Sequence, residues 1–288
     1  MRSYERLGIE EFGRQLLESR DLDPTYVALT AALGGGRVSP EQVHRWLVAF
    51  WTWYHAGIAC WLSEKEGPAF WQAMEEAARN ETFSPIGGRW PRGKERRHNR
   101  GAQARQCVAL LAERYPRPED MLEVVSLSWA GGHCREVMRA ATGHYLFGPW
   151  IGFKVADMIE RILRVPVEFT DAEVFMFEDP RKGAAMFWQR WKGTPGPAPL
   201  NASELREVVE YLCDTFKGYR APPHGDRPVS LQEVETVLCK WKSHQNGAYP
   251  LWNDTDEIRE GLAAWKQHSK FAEIFLEGMP ARPAEEAA

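Results

Sequence analysis

A chain of 288 residues with a formal net charge of −4 and a pI near 6.1 has room for one large or two small domains and is not a global polycation, so any nucleic-acid surface on it must be a local patch. A hydrophobic fraction of 44% that includes 13 Trp is ample for a core. Five scattered cysteines (Cys60, Cys107, Cys134, Cys213, Cys239) without a C-x-x-C point to reduced thiols rather than disulfides or zinc, and exclude a closely spaced four-cysteine iron–sulfur loop.

The N-terminus, MRSYERLGIEEFGRQ, is charged and lacks an apolar h-region, so no secretory signal is expected and a cytoplasmic location is. From Ile9 to Asn80 the pattern reads as helices only. Asp23-Pro24 starts one that ends at Gly34-Gly35-Gly36. Ser39-Pro40-Glu41-Gln42 opens the next with a capping box and proline at the first helical position, and Val38 is placed to staple onto Val43. The spacing predicts one helix through Trp46, Phe50, Trp53, Ile58 and Leu62, apolar on both faces. It is short of the roughly 20 residues a membrane span needs, and His55 interrupts it, so it reads as the central helix of a bundle. Glu41-x-x-His44 is half of a di-iron motif whose second half the chain lacks, and no metal site is expected.

From Phe83 to Arg105 the composition changes to FSPIGGRWPRGKERRHNRGAQAR. Seven cations, among them Lys94, Arg96, Arg97 and Arg100, face only Glu95 in opposition. Glycines and a proline keep this stretch out of regular structure, and Trp90 can stack on a base. In an acidic chain such a patch is the expected footprint of a polyphosphate or DNA backbone, with a plain solvated loop as the other reading. His98, within it, can hydrogen-bond a leaving phosphate. Helices follow from Gln106 to Tyr115, from Pro118, and after Gly131-Gly132.

Tyr145 to Asp179 carries the densest signal. Gly148-Pro149 and Ile151-Gly152 read as a tight hairpin opening a helix, with Ile151, Val155, Met158, Ile159 and Ile162 at the 3.6-residue period and Lys154 in its first turn. Unpaired N–H groups at such a start, Gly152 among them, can grip a phosphate. Val165-Pro166 then stops the helix and delivers Asp171. An ordinary buried helix with a glycine turn fits the same periodicity. After Asp179-Pro180, a helix from Lys182 to Trp191 leads to an extended linker, Gly193 to Pro199. Asn201 and Ser230 start two more, the second the last long helix, running into CKWKSHQNGAYP. There Lys240, Lys242 and His244 form a second basic cluster, with Trp241 and Tyr249 available for stacking; lysines at a helix C-terminus are also favoured by the dipole alone. The tail ARPAEEAA is expected to be disordered.

Trp150-Ile151-Gly152-Phe153-Lys154 followed by Asp171 resembles the helix-hairpin-helix DNA glycosylases, in which a Gly-x-Gly-x-Lys hairpin opens a helix and a catalytic Asp follows. Trp150 replaces the first glycine, and Lys154 matches either the helix-start lysine of bifunctional members or a phosphate contact. Together with CKWKSHQNGAYP, the FGPWIGFKVADMIERIL and EFTDAEVFMFEDP stretches are similar to the alpha-glutamyl/putrescinyl thymine pyrophosphorylases of bacteriophages, over about a third of the chain.

That resemblance implies an all-α, glycosylase-like fold with a cleft between two helical subdomains. The expected divisions are an N-terminal helical subdomain (1–82), a basic loop with the helix-hairpin-helix core (83–192), and a C-terminal helical subdomain (200–280) before the tail (281–288). It implies a transferase that lets an amino acid or putrescine displace pyrophosphate from 5-pyrophosphoryloxymethyluracil in double-stranded phage DNA, after a separate DNA base kinase has acted. Displacement is either direct or through an exocyclic methylene. Asp171 is the candidate base that deprotonates the amine, with Lys154 beside it as catalytic. Lys94, Arg96, Arg97, His98, Arg100, Trp150, Gly152, Asp179, Lys240, Lys242, His244 and Tyr249 are the candidate substrate and DNA contacts. No cofactor is expected, although Mg²⁺ can ride in on pyrophosphate, and no membrane partner. The alternatives are a true base glycosylase and a non-enzymatic DNA-binding accessory protein.

Overall fold

The computed structural model describes residues 4–127, 132–175, 177–194 and 198–282. Every regular element among them is helical, and the one β-bridge, Arg220 to Pro228, extends into no strand. The expected all-α class is what the chain adopts. None of these helices is long and apolar enough to cross a membrane. The expected break at Gly131, the middle of the 193–199 linker and most of the C-terminal tail lie outside the described residues.

In chain order the helices are α1 (Ile9–Glu18), α2 (Pro24–Gly34), α3 (Pro40–Trp53), α4 (Ala56–Ser63), α5 (Gly67–Arg79), α6 (Gly101–Arg114), α7 (Asp120–Leu127) and α8 (Cys134–Thr142). They continue with α9 (Pro149–Leu163), α10 (Asp171–Val174), α11 (Glu178–Lys192), α12 (Ala202–Phe216), α13 (Leu231–Gln245), α14 (Asn253–Ala263) and α15 (Lys270–Gly278). The chain divides into two compact units. One takes residues 28–167 and 256–279; the other takes the N-terminal stretch to Val27, Glu168–Thr255 and the chain from Pro280.

The unit of 28–167 and 256–279 is organised on α3 and α4. Trp46, Leu47, Val48, Trp51 and Trp53 have no exposed surface, because other helices cover α3 on all sides. Three of its indole N–H groups find sulfur acceptors: Trp46 on Cys60, Trp51 on Met158 and Trp53 on Met74, at 3.3, 3.2 and 3.0 Å. Ser39 caps α3 as its sequence predicts, accepting from the Gln42 N–H at 3.1 Å.

The single helix expected from Val43 to Leu62 is two. Tyr54 turns left-handed at φ 51°, and His55 begins α4, its Nδ1 accepting from the Ile58 N–H at 3.3 Å. Hydrophobic periodicity runs straight through the break because both helices are buried on either side of it.

Two further elements were not expected from the pattern. Ser230 opens α13, of 15 residues, and the shorter α14 and α15 follow it. Ser269 caps α15 through the Ala272 N–H at 3.1 Å, and Phe275 stacks on Trp46 at 5.6 Å.

In the other unit α13 packs against α1, α11 and α12. Asn201 and Glu204 form a reciprocal capping box on α12. At α13, Glu233 receives both the N–H and the hydroxyl of Ser230, at 2.9 and 3.0 Å. Helix α11 begins at Glu178, earlier than the expected Lys182. Pro180 is tolerated there because first-turn N–H groups have no intrahelical acceptor.

Candidate functional site

The basic stretch divides into two kinds of cation. The C-terminal carbonyls of α3 have no intrahelical donors, and the loop supplies them. Gly93 N–H donates to Trp53 O at 3.0 Å, Asn99 Nδ2 to Thr52 O at 3.0 Å, and Arg96 Nε to Trp51 O at 2.9 Å and Thr52 O at 3.2 Å. The other arm of Arg96 reaches Leu146 O at 2.6 Å, just before α9, and its guanidinium lies over Phe147. Burial pulls the Arg96 pKa down to about 10 and that of Arg92 to about 9. Arg92 lies 3.8 Å over the Trp53 ring and donates to Ala77 O and Asn99 O. Arg96, expected to meet phosphate, is therefore 2% exposed and holds the protein's own carbonyls. Trp90, expected to stack on a base, is buried against Trp61.

The second kind faces solvent. Lys94, Arg97 and His98 are exposed, and Lys94 is engaged by Glu257 at 2.8 and 3.0 Å. Arg100 is half-buried and donates to Trp90 O at 3.1 Å.

Helix α9 begins earlier than the hairpin reading placed it. Gly148 is the N-cap and Pro149 the first helical residue, which puts Gly152 inside the helix and Lys154 in its second turn. The Gly152 N–H donates to Gly148 O at 2.9 Å and so is not directed at a phosphate. The glycine serves packing instead. A Cβ there would stand 2.9 Å from Thr142 Cγ2 and 3.3 Å from Met138 O, where α8 crosses α9. Lys154 lies 3.4 Å from Asp157, itself 3.9 Å from Arg161, in a nearly buried row along the helix. Trp150 meets the edge of Tyr54 with ring centroids 4.7 Å apart. The sequence pattern does not single out Tyr54, because its place follows from the α3–α4 break.

In the other unit, Asp171 opens α10 and accepts from Arg206 Nε at 3.3 Å, with a third of its side chain exposed. Asp179 and Lys242 are brought together at 2.6 Å. Lys242 also lines a cavity of about 600 Å³, whose walls include Arg181, Lys182, Met186, Leu200 and Leu205. Its lining joins apolar side chains to three cations and Glu178.

The remaining residues of the second basic cluster are interior. Lys240 pairs with Asp254 at 2.8 Å and donates to Leu22 O at 2.6 Å and Asp21 O at 3.1 Å. Burial opposes the Lys240 ammonium, but Asp254, Asp23 and Asp21 outweigh it and its pKa is raised. Burial, reinforced by Asp254 and Asp21, holds the Tyr249 phenol well above its usual range. His244 accepts from the Leu7 N–H at 3.0 Å on Nε2, so Nδ1 carries the proton and donates to Tyr249 O at 2.8 Å. Burial lowers its pKa, in keeping with this neutral tautomer. Lys240, His244 and Tyr249, expected as DNA contacts, fasten the N-terminal stretch to α13 and the segment after it. Helix α13 runs on to Gln245 and turns them inward, a direction that residue type alone does not reveal. Among the described residues no three His, Cys, Asp or Glu side chains gather as metal ligands would.

A family model described as amino acid:DNA transferase matches residues 17–248. The chain is 49% identical over 292 residues, covering 97% of it and 98% of the relative, to a "Glycinyltransferase" of Pseudomonas phage PaMx11. It is 26% identical over 263 residues, covering 90% of it and 79% of the relative, to a "Putrescinyltransferase" of Delftia phage PhiW-14.

Proposed function

The chain belongs to the amino acid:DNA transferase family, and from that premise we propose that it attaches glycine to a pyrophosphate-activated thymine derivative in double-stranded phage DNA. The observation that carries the choice of donor is the 49% identity, nearly end to end, with the glycinyltransferase, against 26% with the putrescinyltransferase. The acceptor is 5-pyrophosphoryloxymethyluracil. The substrate must therefore come from a phosphoryl-transfer reaction on the hydroxymethyl group of a DNA base, and the setting is the cytoplasm of the infected host.

The reaction forms a bond between the glycine nitrogen and the methylene carbon and breaks the bond from that carbon to the pyrophosphate oxygen. Glycine is an ammonium ion at neutral pH and must give up a proton before it can attack. Asp171 is the proton acceptor in this proposal, its carboxylate oriented by Arg206 and open to solvent on one side. The edge of Lys94, Arg97, His98 and the half-buried Arg100 in the other unit supports a role in meeting the DNA backbone. Lys154, kept beside Asp157, is a second cation for the same purpose. Mg²⁺ carried on the pyrophosphate is part of the substrate in this reading.

The test is mass spectrometry of nucleosides from DNA bearing 5-pyrophosphoryloxymethyluracil, after incubation with the protein and a mixture of amino acids and polyamines. A nucleoside carrying glycine is the expected product. Addition of another amine would overturn the donor, unchanged nucleosides would overturn the transfer, and free base would establish a glycosylase.

A further inference from the structure

We infer that the loop from Glu81 to Arg89 is a wedge that enters the DNA duplex, with Phe83 inserted into the base stack and Arg89 and Arg100 on the flanking phosphates. The inference rests on the proposed DNA substrate but not on the transfer chemistry.

Phe83 is 81% exposed; the next most exposed large apolar side chain among the described residues, Leu110, is at 43%. The backbone that presents it is held in place. At the base of the loop the Trp90 N–H donates to Asn80 Oδ1 at 3.0 Å. Beyond Phe83, Ser84 N–H bonds Gly88 O at 2.9 Å, Gly87 N–H bonds Ser84 O at 2.8 Å, and the Ser84 hydroxyl bonds Gly87 O at 3.0 Å. This turn needs the positive φ of Gly87 and Gly88, 82° and 68°. Before Phe83, Thr82 donates to Glu76 of α5 at 2.9 Å, and Glu81 pairs with Arg105 at 3.7 Å. Both neighbours of Phe83 are thus tied to the protein while its ring points away from it. A loop that merely connected α5 to the following stretch would have no use for a phenylalanine held out at the entrance to its turn.

Two charges farther along the same stretch point the same way. Arg89 is exposed and near enough to Arg100 that, after burial, it is the main cause lowering the Arg100 pKa. Two like charges held together at a surface suit an anion lying between or across them, and a DNA backbone offers a row of such anions. An exposed apolar ring on the same stretch as these arginines matches the two parts of a nucleic-acid wedge, unstacking of a base step and anchoring of its phosphates. The need follows from the proposed substrate: a reacting carbon on a base within a duplex is reached by unstacking that base, and the gap left behind must be filled.

The test uses duplex DNA with 2-aminopurine next to the target position, without modification and without glycine. Wild-type protein is expected to raise the 2-aminopurine fluorescence on binding. Phe83→Ala is expected to lose most of that rise, and Phe83→Trp to restore it. On modified DNA, Phe83→Ala is expected to lower kcat/KM about ten-fold on duplex, with a smaller loss on single strands. Arg89→Gln with Arg100→Gln should flatten the slope of log Kd against log salt by about two, one for each phosphate that is no longer neutralised. Equal fluorescence from Phe83→Ala and wild type, or equal loss on single and double strands, would overturn the wedge. Unstacking by a protein that transfers no amine would keep the wedge and overturn the proposed function instead.

Discussion

Arg96 Nε donates to the carbonyl of Trp51 at 2.9 Å, so the middle of the most basic stretch in the chain closes the end of the tryptophan-rich helix α3. Arg96→Met removes the guanidinium from the carbonyls of Trp51 and Leu146, while Thr52 O keeps its bond from Asn99 Nδ2. The expected cost is about 3 kcal/mol of unfolding free energy, read by urea titration. Arg97→Gln, on the exposed edge, is expected to leave stability within about 0.5 kcal/mol and instead weaken DNA binding at low salt. A reversal of those two outcomes would return Arg96 to the DNA-binding surface.

Glycines 93 and 152 make a paired prediction about close packing. At Gly93 a Cβ would fall 2.1 Å from Tyr54 O, a backbone atom, whereas at Gly152 the nearest atom is a side-chain methyl at 2.9 Å. Gly152→Ala also gains about 1 kcal/mol of helix propensity against an overpacking cost of about 1–3 kcal/mol, for a net loss near 1 kcal/mol. Gly93→Ala forces the loop off the α3 terminus and is expected to cost about 3 kcal/mol or more. Thermal unfolding of the two variants should rank Gly93→Ala well below Gly152→Ala. Gly152→Ala should leave the salt dependence of DNA binding unchanged, because its amide is already bonded within α9.

Four histidines, two buried and two half-buried, set the acid limit of stability. Burial lowers the pKa of His44, His144 and His244, and burial with Arg92 nearby lowers that of His55 to about 4. A folded-state pKa below the unfolded value of 6.5 means that the unfolded chain binds more protons in this range. The stabilisation is then complete above pH 6.5 and lost as pH falls, for His55 between 6.5 and about 4. Urea midpoints are expected to drop steadily from pH 7 to 5. His55→Asn keeps a side-chain cap for the Ile58 N–H without a titrating ring, and should make that drop shallower.

What the sequence made legible was local. Ser39, Asn201 and Ser230 announce helix starts through residues three positions away, and the all-helical class follows from periodicities of the same range. The break at Tyr54 was not legible, because the donors that satisfy the end of α3 arrive from residues 93–99. The same distance in sequence hides which cations are structural. Arg96 and Arg97 are neighbours of one type, and only the tertiary position of Thr52 and Leu146 decides that one is interior and the other exposed. Lys240 and Lys242 repeat the lesson on α13, one buried against Asp254 and the other paired with Asp179 on a cavity wall. A charge run therefore marks where cations are, and packing decides what they hold.

Asp171 carries the chemical prediction. Its pairing with Arg206 is exposed, so losing it costs little stability, well under about 1 kcal/mol. Asp171→Asn is close to isosteric but cannot accept the proton of an ammonium nucleophile. It is expected to lower kcat for glycine transfer by about 10²–10⁴-fold while binding of modified DNA changes little. Arg206→Gln removes the orienting partner and keeps the base, so a smaller loss, about ten-fold, is expected. Raising the pH should recover activity in Asp171→Asn, because more of the glycine is then already deprotonated. A rate for Asp171→Asn that equals wild type, or one that fails to rise with pH, would assign the proton acceptor to another group.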